Sequence, residues 1–332
     1  MSDKIKLIEK RLKNLPLVNA KPPKKVGYVV NYSFHIWYKV VMDLMKARAA
    51  QYGIEVLIRD AKMELATELA AMDELIREKV DVLIVTPVSS PDIAKVIEKA
   101  TSANIPLVLE ANPVPGMTTM VAICDYDAGV KAGKFAGHYA KSYLGGVAKV
   151  LDIGLPTLRP CLLRSEGFFD GLKSIIPDAE LVERGNGEAM VDISANLAKS
   201  AFAKRPDINI VFGMDDESIH GGLHAVEEMG CDSKNLLLVG FGMAGDADKD
   251  LLMNGGSWKA STAMFPEWVG LRCIDQAVKV FNGLPVDVHD VAPTVVVTTE
   301  NLTKYFSKTD AGWIPEFAAI AAIEREKSCT QL

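Results

Sequence analysis

Apolar runs of strand length alternate with amphipathic stretches of helix length through most of the chain, and this constrains the fold more than any other feature. KVGYVV (25–30) leads into WYKVVMDLMKARAAQY (37–52), whose apolar residues recur at helical spacing until Gly53 stops them. IEVLIRDA is followed by ELATELAAMDELIREK, with acids early and bases late, as a helix dipole favours. VDVLIVTP reads as a strand buried on both faces, PDIAKVIEKATSAN as a helix with Pro91 at its start, and IPLVLEA as another strand. The alternation resumes at DAGVKAGKFAGHYAKSYL and AKVLDIGL, and continues to NLLLVGFG (235–242). It predicts parallel sheets covered by helices. Two such runs, about 26–124 and 147–263, predict two sheets. PVPGMTTMVAICDYDAG, GSWKASTAMFPEWVG and VDVHDVAPTVVVTTENL read as crossings between them. A cleft between two lobes is a preferred place for a small-molecule site.

Composition narrows the function. The 332 residues carry a net charge of −6 and no basic stripe with interleaved aromatics, so no nucleic-acid partner is expected. No apolar run reaches membrane-spanning length. The start, KIKLIEKRLKNLPLVNAKPPKK, is amphipathic, runs into a Pro/Lys linker and lacks the apolar core of an export signal. The five cysteines have no metal or redox spacing. They read as buried small hydrophobes, which points to a reducing compartment and leaves an exported protein with free thiols open.

Several motifs carry a bland and a sharp reading. GFGMAGD (240–246) matches G-x-G-x-x-G after a strand, but the following helix is short and no acid ends the next strand, so a dinucleotide site is not favoured. His220 and His224 are spaced i, i+4 without a third ligand at fixed spacing, and read as a packing face rather than a metal site. Nucleophile elbows and P-loops are missing from the sequence. The expectation is binding without chemistry, cofactor or metal. In FGMDDESIHGGLHAVEEMG (212–230), Asp215 and Asp216 stand where a strand gives way to a helix. They are either helix caps or ligands at the edge where α/β sheets bind small molecules.

In order and spacing, VGYVVNYSFHIWYKVVMDLMKARAAQYGIEV, VDVLIVTPVSSPDIAKVIEKATSANIPLVLEAN, ICDYDAGVKAGKFAGHYA, LRSEGFFDGLKSI and GSWKASTAMFPEWVGLRCIDQAVKVFNG resemble the type I periplasmic binding proteins, in the ribose/galactose-binding branch. The resemblance covers about 25–310. It implies an α/β fold of two Rossmann-like lobes with parallel sheets, joined by three hinge crossings near 124–126, 263–265 and 290–292. The implied division is an extension at 1–24, one lobe from 25–124 plus 265–290, a second from 125–264 plus 291–315, and a tail at 316–332. It also implies a periplasmic monomer that clamps a small molecule for an ABC transporter permease, with a cytoplasmic location as the alternative. The rivals are the ligand-sensing core of a LacI-type regulator and an NAD-dependent enzyme.

Carried over by position, the resemblance places ligand contacts at Phe34, His35, Trp37, Glu110, Asn112, Asp215 and Met264, with Trp268 nearby. Several family positions depart from the pattern: Ala111 and Asn112 replace an Asp-Arg pair, Leu162 an Arg, Gly242 an Asp and Met264 a Gln. Ala189 and Val191 stand where an aromatic and an Arg are usual. Asp215 replaces an Asn and holds an uncompensated charge on this reading. Each buried hydroxyl left unpaired costs about 1–3 kcal/mol, so the expectation is a sugar-derived, polyol, smaller and less hydroxylated or partly apolar ligand in place of ribose, galactose or glucose, and a cationic one if Asp215 is uncompensated.

Overall fold

The computed structural model describes residues 3–88, 92–326 and 329. Along the first part of the chain lie α1 (Asp3–Leu12), β1 (Lys25–Val30), α2 (Ile36–Tyr52), β2 (Glu55–Asp60), α3 (Leu65–Arg77), β3 (Val82–Val85), α4 (Lys95–Ser102), β4 (Leu107–Glu110) and β5 (Met120–Ala122). Next come α5 (Asp125–Tyr143), β6 (Lys149–Gly154), α6 (Arg159–Lys173), β7 (Glu180–Asn186), α7 (Val191–Lys204), β8 (Ile210–Gly213), α8 (Asp216–Glu228), β9 (Leu237–Gly242), α9 (Asp246–Asn254) and β10 (Trp258–Ala263). The chain ends with α10 (Pro266–Phe281), β11 (His289–Val291), β12 (Val295–Val297), α11 (Leu302–Tyr305), the hairpin β13 (Phe306–Thr309) and β14 (Gly312–Pro315), and α12 (Phe317–Ala321). The alternation read from the sequence is the alternation observed. The position of Pro91 lies outside the described residues.

The strands form two six-stranded sheets, ordered β11-β5-β4-β3-β1-β2 and β12-β10-β9-β8-β6-β7. The strand pairs are parallel except β10 with β12 in the sheets and the separate β13–β14 hairpin. The central strands are buried on both faces, as expected when helices cover a parallel sheet. Three passages join the lobes: β5 into α5, β10 into α10, and β11 into β12. At the second passage Phe265 takes φ 51°, in the left-handed region where a side chain is strained, and stacks on Phe306 at 5.6 Å.

The two helix pairs that back the passages are built differently. α5 meets α6 through glycines: a Cβ at Gly133 would fall 1.9 Å from the Phe168 carbonyl oxygen, and one at Gly167 2.1 Å from that of Tyr126. α2 meets α10 around a buried ion pair, Arg48 Nε to Asp275 Oδ1 at 2.9 Å. Arg48 also donates to the Pro16 carbonyl at 2.6 Å, anchoring the segment before β1.

One expectation is extended here and one is corrected. The N-terminal stretch forms α1, which buries Ile8 and Leu12 and packs on α2 and β14; Arg11 donates to the carbonyls of Ile314 and Pro315. The cysteines are not all isolated hydrophobes. Cys124 and Cys329 form a disulfide with Cα atoms 5.1 Å apart, across 205 positions of sequence, while Cys161, Cys231 and Cys273 are free. Sequence spacing hides such a pair because the hinge and the chain end meet only after both lobes assemble.

Candidate functional site

The ends of β1, β4 and β8 bring polar side chains together across the cleft. After β1, His35 caps α2, its Nδ1 accepting the Trp37 N–H at 3.1 Å. A neutral ring that accepts at Nδ1 carries its proton on Nε2. That nitrogen lies 3.5 Å from Glu217 Oε2, on α8 of the other lobe. Burial opposes charge on His35, but the hydrogen bond and charge of Glu217, then the charge of Asp215, outweigh it and raise its pKa. Glu217 is lowered in turn because His35 outweighs its burial. The pair is a direct polar contact between lobes.

Glu110 ends β4 and is fully buried. The Thr86 hydroxyl donates to it at 2.6 Å, and Tyr28 lies 2.8 Å from Thr86 Oγ1. Burial pushes the Glu110 carboxyl up to about 7, opposed by hydrogen bonds from the side chains of Thr86 and Trp37. Ala111 follows at φ 63°, and Asn112 Nδ2 donates to the Pro87 carbonyl at 2.7 Å. Tyr38, raised by burial and then by Glu110, completes this wall.

The facing wall carries a cation. Arg164 on α6 donates through Nε to Asp125 Oδ1 at 2.7 Å and through Nη1 to the Met214 carbonyl at 3.3 Å. Its guanidinium lies 4.9 Å from the centre of the Phe241 ring. Burial raises Asp125, and Arg164 opposes that shift. Asp215 caps α8, Oδ1 accepting the Ser218 N–H at 2.8 Å; burial raises it too, and His35 opposes. Asp215 also raises the pKa of Arg164 by its charge. The carboxylate is therefore not uncompensated, which removes the argument for a cationic ligand. His35, Asp215 and Glu217 place donor atoms within 4.8 Å of one another and could together hold a cation, against the repulsion of Arg164.

A cavity of about 430 Å³ lies between the lobes, with Val88 and Asn112 on one side and Asp125, Leu158 and Leu163 on the other. Asp125 joins it to the Arg164 cluster. Of the expected site residues, His35, Trp37, Glu110 and Asp215 meet in that cluster and Asn112 lines the cavity. Phe34 is 70% exposed, its ring centre 6.0 Å from that of Tyr32. Met264 is buried at the second passage, its N–H donating to the Gly242 carbonyl, and Trp268 is buried one helical turn on. Sequence reasoning passed over Arg164, Asp125, Glu217 and Tyr38. Arg164 stands in LRSEGF, two residues after Leu162, the position at which the resemblance places an arginine.

Two motifs resolve into structural roles. The backbone N–H groups of Met243 and Ala244, in GFGMAGD, donate to the Asp216 carboxylate at 2.9 and 3.1 Å. The anion in this loop is the chain's own, so the glycines do not open a phosphate cradle. Asp216 thus ties the loop after β9 and is not a spare cap for α8. His220 Nε2 lies 3.0 Å from Asp248 Oδ1 and its ring packs on Trp258, a link between α8 and α9.

A family model described as periplasmic binding protein domain matches residues 26–285. The ribose import binding protein of Escherichia coli is 25% identical over 275 residues, covering 80% of this chain and 87% of that protein. Its counterpart in Bacillus subtilis is 27% identical over 260 residues, covering 76% and 80%. A solved ABC transporter solute-binding protein of Bacillus halodurans, with bound myo-inositol, superposes with a TM-score of 0.76 at 20% identity, covering 87% of this chain and 99% of that one.

Proposed function

The chain belongs to the periplasmic binding protein domain family, and on that premise we propose that it is the substrate-binding protein of an ABC importer, clamping a small sugar-derived, polyol or less hydroxylated molecule between its lobes. The observation that carries the reading is the meeting of His35, Trp37 and Glu110 from one lobe with Asp125, Arg164, Asp215 and Glu217 from the other. Hydroxyls need both donors and acceptors when buried, and this set offers an arginine fork, carboxylates and an imidazole. The relatives named for ribose import support a sugar or polyol as the ligand class.

The lobes are proposed to be 25–124 with 265–290 and 125–264 with 291–315, moving about the three passages. Contacts made to both lobes at once favour the closed form, and a permease reads that form. The protein works as a monomer in the periplasm, binding without chemistry; the Cys124–Cys329 disulfide supports an oxidising compartment.

Calorimetry with ribose, xylitol and myo-inositol tests this. Micromolar binding of xylitol or myo-inositol is expected, with ribose weak or unbound, and Arg164→Met should weaken it at least about tenfold, the loss of a charged hydrogen bond being about 1.5–3 kcal/mol. No binding across a broad sugar and polyol panel by the folded protein would overturn the reading.

A further inference from the structure

The C-terminal segment touches all three passages between the lobes. Cys329 is bonded to Cys124 at the first. The Arg325 guanidinium lies 5.0 Å from the centre of the Trp268 ring, just after the second. Glu326 pairs with Lys131 at 2.5 Å, and Lys131 also donates to the carbonyl and hydroxyl of Thr294 at 3.1 Å, in the third. His289, on the strand entering the third passage, holds Nδ1 3.2 Å from Cys329 Sγ. Cys329 also lines the interlobe cavity.

We propose that the segment carrying Arg325, Glu326 and Cys329 is a redox-fastened clasp across the hinge, which narrows lobe opening while the disulfide is intact and frees it on reduction. Rotation about the passages displaces Trp268, Lys131 and Cys124 relative to one another, and one covalently held segment bridging them resists that displacement. A dithiol reductant supplies two electrons and two protons. The Cys124–Cys329 bond breaks, two thiols form, and the reductant leaves as a cyclic disulfide. The released Cys329 thiol has a partner. His289 Nε2 faces the Ala122 carbonyl at 2.9 Å and so carries the ring proton, leaving the Nδ1 lone pair to accept the S–H. Without the covalent bond, the described residues of the segment keep a part-exposed ion pair, a ring contact and the thiol's bond to His289, each weak beside a disulfide.

The clasp regulates the site proposed above, but its test uses no ligand, so it stands or falls separately from that reading. Alkylation of the unfolded, air-oxidised chain should modify three cysteines, and five after reduction with dithiothreitol. Amide exchange is then read at Met264, which donates to Gly242, and at Ala292, which donates to Ala122. Exchange there should quicken at least about tenfold on reduction, equivalent to about 1.4 kcal/mol of opening free energy, and likewise in Cys329→Ser and Cys124→Ser. Trp268 emission should shift in parallel as Arg325 leaves its ring. Five reactive thiols in the air-oxidised protein, or exchange at the passages unchanged by reduction, would overturn the proposal.

Discussion

The two lobes share a strand order, yet they face the cleft with different electrostatics and are backed by different helix contacts. The wall at β1 and β4 is aromatic and holds one buried acid, Glu110, supported by Thr86 and Trp37. The wall at β8 and α6 pairs its acids with Arg164 and with backbone N–H groups. Behind the first wall, α2 and α10 close around the Arg48–Asp275 pair. Behind the second, α5 and α6 press backbone to backbone through Gly129, Gly133, Gly167 and Gly171. One topology therefore tolerates two packing solutions, because the sheet fixes where helices lie but not what separates them. It also tolerates an acid raised by burial with no cation beside it, Glu110, and one whose rise Arg164 opposes, Asp125, because the neighbours differ.

The largest expected effect lies at the glycine interface. Gly133→Leu should destabilise the protein by more than about 4 kcal/mol, since backbone leaves no room to repack. Gly133→Ala should cost more than Gly270→Ala, whose Cβ would meet the Val41 carbonyl oxygen at 2.4 Å where α2 and α10 touch. Equal losses in denaturant melts would break the contrast between helix pairs.

The next effect is a pH dependence. Glu110 rises from an ordinary 4.5 to about 7 on folding, so the native state holds a proton that the unfolded chain has lost. Its contribution to stability is full below about pH 4.5 and is lost as pH rises through 7, on the order of 3 kcal/mol over that range. Glu110→Gln should flatten this part of the stability profile. Glu68, also pushed up to about 7 by burial, contributes a separate portion that Glu68→Gln would remove. A profile unchanged by Glu110→Gln would mean that burial does not raise this carboxyl on folding.

The smallest effect is at Asp215. Asp215→Ala should lower stability by about 1 kcal/mol, the value of an N-cap, because Asp216 is committed to the loop at Met243 and Ala244 and does not replace it. The same variant should weaken ligand binding by about 1.5–3 kcal/mol if its second oxygen meets the ligand. Paired melting and affinity measurements separate the two roles; a stability loss with affinity intact would leave Asp215 as a cap.

The sequence by itself determined the alternation of elements, the two sheets and the three passages. Periodicity 2 against 3.6, with glycine stops, is a local property that survives in one dimension. It also placed His35, Glu110 and Asp215 at strand ends, because in parallel sheets those ends gather at one edge. Only the tertiary structure decided which neighbours they meet. Arg164 compensates Asp215 from a separate helix, Glu217 reaches His35 from the other lobe, and Asp216 fills the glycine loop that mimics a nucleotide motif. The same holds for Cys124 and Cys329, whose thiols meet across 205 positions. Charge compensation and disulfide pairing depend on distances of a few ångströms between remote segments. Those distances are set by the packing of whole lobes, and no local pattern encodes them.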